Sequence, residues 1–237
     1  MRHHKRKVIG ILISIIVFIL IIFVVCLRVF KTSDKQTVVN SKSQAATGEA
    51  YSIDLGSGLK LIELSETTGN FPEDGSDEFV DKMLSAMFIN EGETTIQYAS
   101  VQVRVGEENF SFAFSTLPAG KRIRVFEADK KSISETEGEV AAEAEYIAYF
   151  QEEPSLHEEE LEFTVSDGVI TVKNISETDI DKEISVFYKS VSGDTYMGGI
   201  TYRFRVPAGL TAGEEYQGNA VHASENLTTV MFVTYGE

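Results

Sequence analysis

Cysteine is almost absent from this chain of 237 residues, and tryptophan is missing altogether. The single cysteine, Cys26, lies inside an apolar run near the N-terminus. One cysteine cannot form a disulfide within one chain, so the folded domains must be stabilised by their hydrophobic cores. The same scarcity excludes a zinc site built from spaced pairs of cysteine and histidine.

Basic charge is also scarce. The chain has 21 lysines and arginines against 37 aspartates and glutamates, which gives a net charge of -16. Residues 1–30 contain five basic residues and no acidic one, so the rest of the chain carries a charge of -21. Such an acidic surface repels phosphate backbones and anionic lipid headgroups, which excludes nucleic acid as a partner. Solubility is the simplest role for this acidity.

Catalytic motifs are missing as well. The sequence has no G-x-S-x-G elbow, no phosphate loop and no dinucleotide fingerprint, and neither His157 nor His222 belongs to a recognisable triad. A glycosidase site requires two carboxylates at a set distance in space, and a sequence does not show that distance. With 37 acidic residues, pairs arise by chance, so they do not indicate a glycosidase. We therefore predict a protein that is not an enzyme and holds no cofactor or metal, with a hydrolase as an alternative class.

A long apolar run is present at the N-terminus. From Val8 to Leu27 twenty residues follow one another without a charge, and a helix of that length spans the hydrocarbon core of about 30 Å. No small-residue cleavage site precedes Cys26, which predicts an uncleaved transmembrane helix over residues 8–30. The basic tail 1–7 favours a cytoplasmic N-terminus by a narrow margin, with the later domains outside the cell membrane.

The remaining sequence reads as a flexible linker followed by short strands. Residues 31–50 are polar and small, without periodicity. Alternating runs between turn signals then predict an all-β protein, although "EVAAEAE" (139–145) also has helix-forming composition. Each half has the size of one antiparallel immunoglobulin-like sandwich, so we predict β-sandwich domains over 51–152 and 160–237. One fused sandwich is the alternative.

The two halves repeat one another in order. "NEGETTI" after residue 89 aligns with "NISETDI" after residue 173, an offset of 84. Pro118-Ala119-Gly120 recurs as Pro207-Ala208-Gly209, at an offset of 89. Drifting offsets are typical of loop insertions between fixed strands. We therefore predict an internal duplication, with Pro-Ala-Gly as the turn that enters the same strand in each copy.

Several of these motifs resemble known bacterial modules. The pattern from Val172 to Tyr188 is similar to extracytoplasmic β-sandwich modules of the FxLYD-like kind. The runs "EDGSDEFV", "STLPAGKRIRVFEA", "GGITYRF" and "TVMFVTY" resemble membrane-anchored tandem β-sandwich surface proteins of gut Clostridia. The resemblance covers most of residues 50–237 and implies a single-pass, surface-facing protein of a Gram-positive bacterium. It implies no activity.

One segment stands out as a candidate contact site. "DTYMGGITY" combines a predicted hairpin tip with Asp194, Tyr196, Met197 and Tyr202, and it is an insertion specific to the second half. The aromatic residues at strand spacing elsewhere are expected to fill the core. The acidic loop from Glu73 to Glu78 has oxygen ligands for calcium but not the spacing of an EF-hand, which favours an ordinary solvated turn.

These observations predict a non-enzymatic binding or adaptor protein of the bacterial cell envelope, anchored through residues 8–30. Its partner would be another envelope protein or a glycan, contacted through edge strands and end loops. The alternative is an accessory structural subunit of a membrane-embedded or secretion complex, in which the helix makes the main contact. Lys130, Lys131 and Lys189 are expected to be accessible lysines.

Overall fold

The computed structural model describes residues 50–133, 138–220 and 227–236, and these residues form strands and their connections. The all-β prediction is confirmed. The predicted tail 1–7, the predicted helix 8–30 and the linker up to residue 49 lie outside the described residues. Within the described ranges no helix has the length and apolar character required to cross a membrane.

The described residues contain thirteen strands. In chain order they are β1 (Ala50–Asp54), β2 (Leu59–Phe71), β3 (Glu78–Asn90), β4 (Ile96–Val105), β5 (Glu108–Leu117), β6 (Arg122–Phe126), β7 (Val140–Tyr149), β8 (Leu161–Ser166), β9 (Val169–Asn174), β10 (Ile184–Ser192), β11 (Thr195–Val206), β12 (Glu215–Asn219) and β13 (Leu227–Tyr235).

The helix alternative for residues 139–145 is wrong, because this segment belongs to β7 and pairs with β4 along its length. Two strands, β8 and β12, had not been singled out in the sequence. β12 lacks the apolar alternation by which the other strands are recognised, whereas β8 has it, since Leu161, Phe163 and Val165 alternate with polar residues.

The strands form three sheets. A seven-stranded sheet has the order β1-β2-β3-β6-β11-β10-β13, and two three-stranded sheets have the orders β5-β4-β7 and β12-β9-β8. All pairings among the described strands are antiparallel except that of β6 with β11, which is parallel. The predicted boundary at 152–160 lies between β7 and β8, and the large sheet contains strands from both sides of it.

Two hydrophobic cores lie between these sheets. The first combines side chains from β2, β3 and β6 with others from β4, β5 and β7, among them the buried Phe88, Phe112 and Phe114. The rings of Phe88 and Phe114 lie 5.3 Å apart. The second core is built from β8 to β13 and includes Tyr188 and Val206. Burial of such apolar surface, at about 25 cal/mol per Å², is the main stabilising contribution in a chain without disulfides.

The pairings of the first half recur in the second. β2 pairs with β3, β3 with β6, and β4 with both β5 and β7; β8 to β13 pair in the same order. Asn90 and Asn174, each fully buried, end β3 and β9. Each side-chain amide donates to the carbonyl four residues ahead (2.9 and 2.8 Å) and to the carbonyl of Leu117 or Leu210 (3.0 Å in both).

The predicted equivalence of the two Pro-Ala-Gly turns is wrong. The amide of Gly120 donates to the carbonyl of Asn90 at 2.7 Å, and the matching bond in the second half is made by Gly213 to Asn174 at 2.9 Å. Leu-Pro-Ala-Gly (117–120) therefore corresponds to Leu-Thr-Ala-Gly (210–213). The turn requires this backbone hydrogen bond and a glycine with positive φ, which is 71° at Gly120 and 81° at Gly213. It does not require the proline.

Candidate functional site

The predicted contact segment forms the hairpin between β10 and β11. Asp194 lies exposed at its tip, next to Gly193. The outer end of the hairpin pairs in parallel with β6, where Thr195, Tyr196 and Met197 lie opposite residues 122–124. The hairpin thereby joins the second half of the chain to the sheet of the first half.

Three of the four predicted contact residues touch the first half. Tyr196 is half-buried against the first core, and Met197 packs on a small apolar cluster that includes Phe71 and Phe126. The hydroxyl of Tyr202 donates to the carbonyl of Pro72 at 3.1 Å. These residues thus form contacts within the chain, and we call this region the joint. A contact of the same residues with another molecule stays a prediction.

A large bulge in β11 shapes the joint. Tyr188 pairs with Tyr202 and Ser190 pairs with Met197, so four residues of β11 (198–201) lie opposite the single residue Lys189. Within the bulge, Gly199 approaches β5 so closely that a Cβ atom would lie 2.1 Å from the carbonyl oxygen of Ala113. Only glycine fits at this position, because the clash would be with backbone rather than with a movable side chain.

The side chain of Lys189 binds the backbone of this bulge. Its side chain is fully buried, and its ammonium group donates to the carbonyls of Gly198 (3.3 Å), Gly199 (3.0 Å) and Ile200 (2.9 Å). Three acceptors match the three N–H donors of an ammonium group. Burial lowers the pKa of Lys189 from 10.5 to about 7, and the nearby carboxylate of Glu73 opposes this shift. The expectation that Lys189 is accessible is therefore wrong.

Glu73 supplies the opposite charge from the first half. One carboxylate oxygen accepts from the amide of Phe126 at 2.9 Å, and the other accepts from the amide of Gly199 at 2.7 Å. Burial of the carboxyl group raises the pKa of Glu73 from 4.5 to about 7, whereas the two amide bonds and the charge of Lys189 act against this rise. The carboxylate therefore bridges β6 and β11 next to their parallel pairing.

The carboxylates of the acidic loop do not all converge on one site. Glu73 turns into the joint, whereas Asp74 and Glu78 both pair with Lys130 above the ring of Phe71. In the described part of the chain, no group of three histidine, cysteine, aspartate or glutamate side chains is placed to hold a metal ion. The loop's charges thus serve ion pairs within the protein.

The two histidines of the domains lie apart from the joint or outside the described residues. The ring of His157 is half-buried against Tyr235, with ring centroids 5.1 Å apart, and its Nδ1 lies 3.4 Å from Glu159. This segment packs on the protein, so the ring of His157 is not fully solvated. His222 is outside the described residues.

We expect the stability of the protein to fall as the pH rises from about 4.5 to about 7. In that window the unfolded chain loses the Glu73 proton while the folded protein retains it, because the folded pKa is the higher one. The destabilising contribution is absent at lower pH and reaches at most about 3 kcal/mol above pH 7. Urea unfolding of the wild-type protein and of Glu73→Gln at about pH 5 and pH 8 measures it. If the free energies of unfolding of the two proteins differed by the same amount at pH 5 and at pH 8, the raised pKa of Glu73 would be contradicted.

No protein-family model and no curated protein matches this sequence. The resemblance to clostridial surface proteins therefore stays a prediction that rests on the quoted motifs. Sequence reasoning located the hairpin but missed Lys189 and Glu73. The signal available for them was the Gly198-Gly199 pair within a strand, since glycine in a strand interior indicates a bulge or a close backbone approach.

Proposed function

We propose that this protein is a non-enzymatic binding or adaptor protein of the bacterial cell envelope, anchored by a transmembrane helix over residues 8–30 with its β-domains outside the cell. The observation that carries the proposal is the joint. Glu73, Lys189 and the parallel pairing of β6 with β11 hold the two halves in one sheet. Surfaces on both halves are thereby presented to a partner in a fixed arrangement.

We further propose that the halves are two immunoglobulin-like sandwiches that arose by duplication. Support comes from the repeated order of strand pairings and from the matched hydrogen bonds of Asn90 and Asn174. A buried amide must find hydrogen-bond partners for all its polar atoms. Two buried asparagines that find equivalent partners in the two halves therefore support a common origin of the halves. The offset of 84 between these asparagines equals the offset found in the sequence.

An exposed aromatic pair supports a binding role over a purely structural one. Tyr98 and Tyr146 are 41% and 58% exposed on β4 and β7, with ring centroids 6.2 Å apart. Tyrosine is enriched at protein interfaces because it combines a large apolar area with a polar hydroxyl group. β7 is also the edge of its three-stranded sheet, where a partner can approach.

The proposal is tested by crosslinking on intact cells with a membrane-impermeant, lysine-reactive reagent. Lys82 and Lys131, whose side chains are 67% and 49% exposed, should react, whereas the buried Lys189 should not. A discrete crosslinked species that is lost on changing Tyr98 and Tyr146 to serine, but kept when the helix is replaced by an unrelated one, supports the adaptor role. Dependence on the helix alone supports the accessory-subunit alternative. No labelling, while a known surface protein on the same cells reacts, would contradict the outward orientation.

A further inference from the structure

A cleft outside the joint lies where the segment between β7 and β8 passes the first half. Its cavity volume is about 410 Å³, within the range of small-ligand sites. One wall is formed by the ends of β4 and β5, the opposite wall by residues 153–159, and Met231 of β13 closes one side. This cleft plays no part in the contacts that hold the two halves together at the joint.

The second wall is held in place by β13. The amide of Val233 donates to the carbonyl of Ser155 at 3.0 Å, and the ring of Phe150 packs edge-on against Phe232 at 5.5 Å. Glu153 is held in place by Thr95 of the first half. Its carboxylate accepts hydrogen bonds from the amide (3.3 Å) and from the hydroxyl of this buried threonine. The cleft is therefore preformed, which lowers the entropic cost of binding.

Thr116 is the unusual residue of the first wall. It lines the cleft, it is only 4% exposed, and within the described part of the chain its hydroxyl has no hydrogen-bond partner. Its φ of 53° lies in the left-handed region, which a β-branched residue enters only with backbone strain. The hydroxyl is not among the buried unpaired polar atoms of the described residues, so it is open to the cleft, where water or a ligand can bond to it.

The second half provides an internal comparison. Ile96 pairs with Leu117 as Ile180 pairs with Leu210, so the position before each leucine is equivalent. That position is Thr116 in the first half and Gly209 in the second, and Gly209 has a φ of 91°. The fold thus requires positive φ here and glycine satisfies it. Compared with glycine, the threonine adds a hydroxyl and a methyl group at the cleft, and the hydroxyl is the polar one.

The chemistry of the lining indicates the ligand. Glu153, Glu158 and Glu159 contribute carboxylates, and none of the lining residues is basic. Apolar surface comes from two prolines, a leucine and a methionine: Pro118, Pro154, Leu156 and Met231. Carboxylates attract a cation, a threonine hydroxyl can accept an N–H bond, and the apolar surface can cover a short aliphatic stem.

We propose that this cleft binds an alkylammonium group on a short apolar stem, with Thr116 and Glu153 as the main polar contacts. The inference rests on the proposed binding function and specifies its ligand. The group has two possible sources in a peptide, a lysine side chain or a free amino terminus. Both carry the same ammonium chemistry and differ in how the stem joins the peptide backbone.

The full-length protein in detergent is titrated with two peptides of equal length, and binding is followed by calorimetry. One peptide has an acetylated amino terminus and a single lysine, and the other has a free amino terminus and no lysine. A third peptide, acetylated and without lysine, is the control. We expect saturable binding of one of the first two, none of the control, and weaker binding at high salt. The peptide that binds identifies the source of the ammonium group.

Thr116→Gly is the decisive variant, because it installs the residue that the second half uses. It should leave the free energy of unfolding unchanged or raise it, and it should weaken binding about tenfold, the effect of one hydrogen bond to a charged group. Glu153→Gln should weaken binding at least as much. Lack of binding by both ammonium peptides, or equal binding by Thr116→Gly, would overturn the inference. Crosslinking to a partner on cells with no peptide binding would remove this inference alone and leave the proposed function standing.

Discussion

Replacement of Lys189 by alanine is expected to lower the free energy of unfolding by about 3–5 kcal/mol at pH 8. The change removes a fully buried side chain and leaves the carbonyls of Gly198, Gly199 and Ile200 without their donor. Urea unfolding of the wild-type and variant proteins measures the loss. The loss should be smaller at pH 5, because there the wild-type protein carries the cost of a charged, buried Lys189, whose folded pKa of about 7 is below its ordinary value, and the variant does not.

Two matched variants separate the causes. Lys189→Met retains most of the side-chain volume and removes the hydrogen bonds to the three carbonyls, so its loss of stability at pH 8 should be smaller than that of Lys189→Ala. Lys82→Ala removes a lysine that is 67% exposed and pairs with Glu66 at 3.3 Å, and it should change stability little. If Lys189→Ala were no more costly than Lys82→Ala, the ammonium would not be a structural part of the joint.

Replacement of Gly199 by alanine is the second large effect, with an expected loss of about 3 kcal/mol. The new Cβ would lie 2.1 Å from the Ala113 carbonyl oxygen and 2.9 Å from a carboxylate oxygen of Glu73. A backbone carbonyl cannot move aside, so β11 must separate from β5 and the joint must loosen. The midpoint of urea unfolding should fall accordingly.

Gly236→Ala is the control for this variant. Gly236 has an ordinary φ, and a Cβ there would lie no closer than 3.4 Å to Glu183, which is van der Waals contact. Its unfolding midpoint should match that of the wild type. Equal midpoints for Gly199→Ala and Gly236→Ala would mean that β11 does not approach β5 as closely as described.

The strands of the chain could largely be predicted from its sequence, since their apolar residues alternate. The run Ile96 to Val105 is an example, and its alternation of buried and exposed side chains confirms the prediction. The β7 segment was ambiguous because alanine and glutamate favour helices in isolation. Pairing with β4 overrides that local propensity.

The joint could not be predicted in the same way. A lysine within "VFYKSV" reads as an exposed strand residue, because lysine is rarely buried without a partner. Its burial depends on the bulge opposite it and on Glu73, which is more than a hundred residues away in the chain. The Pro-Ala-Gly comparison failed for a related reason. The two Pro-Ala-Gly runs have the same residues, but the equivalent turns are the ones that hydrogen-bond to Asn90 and to Asn174.

The parallel pairing of β6 with β11 also has a consequence for how the chain is made. Synthesis proceeds from the N-terminus, so β1 to β7 are complete before residues 195–197 exist. During that interval the outer edge of β6 is open, and an open edge is a template on which other chains can aggregate. The arrival of the hairpin closes this edge. The C-terminal half thus acts as a built-in cap for the half that is synthesised first, and a chain that stops after β7 would lack that protection.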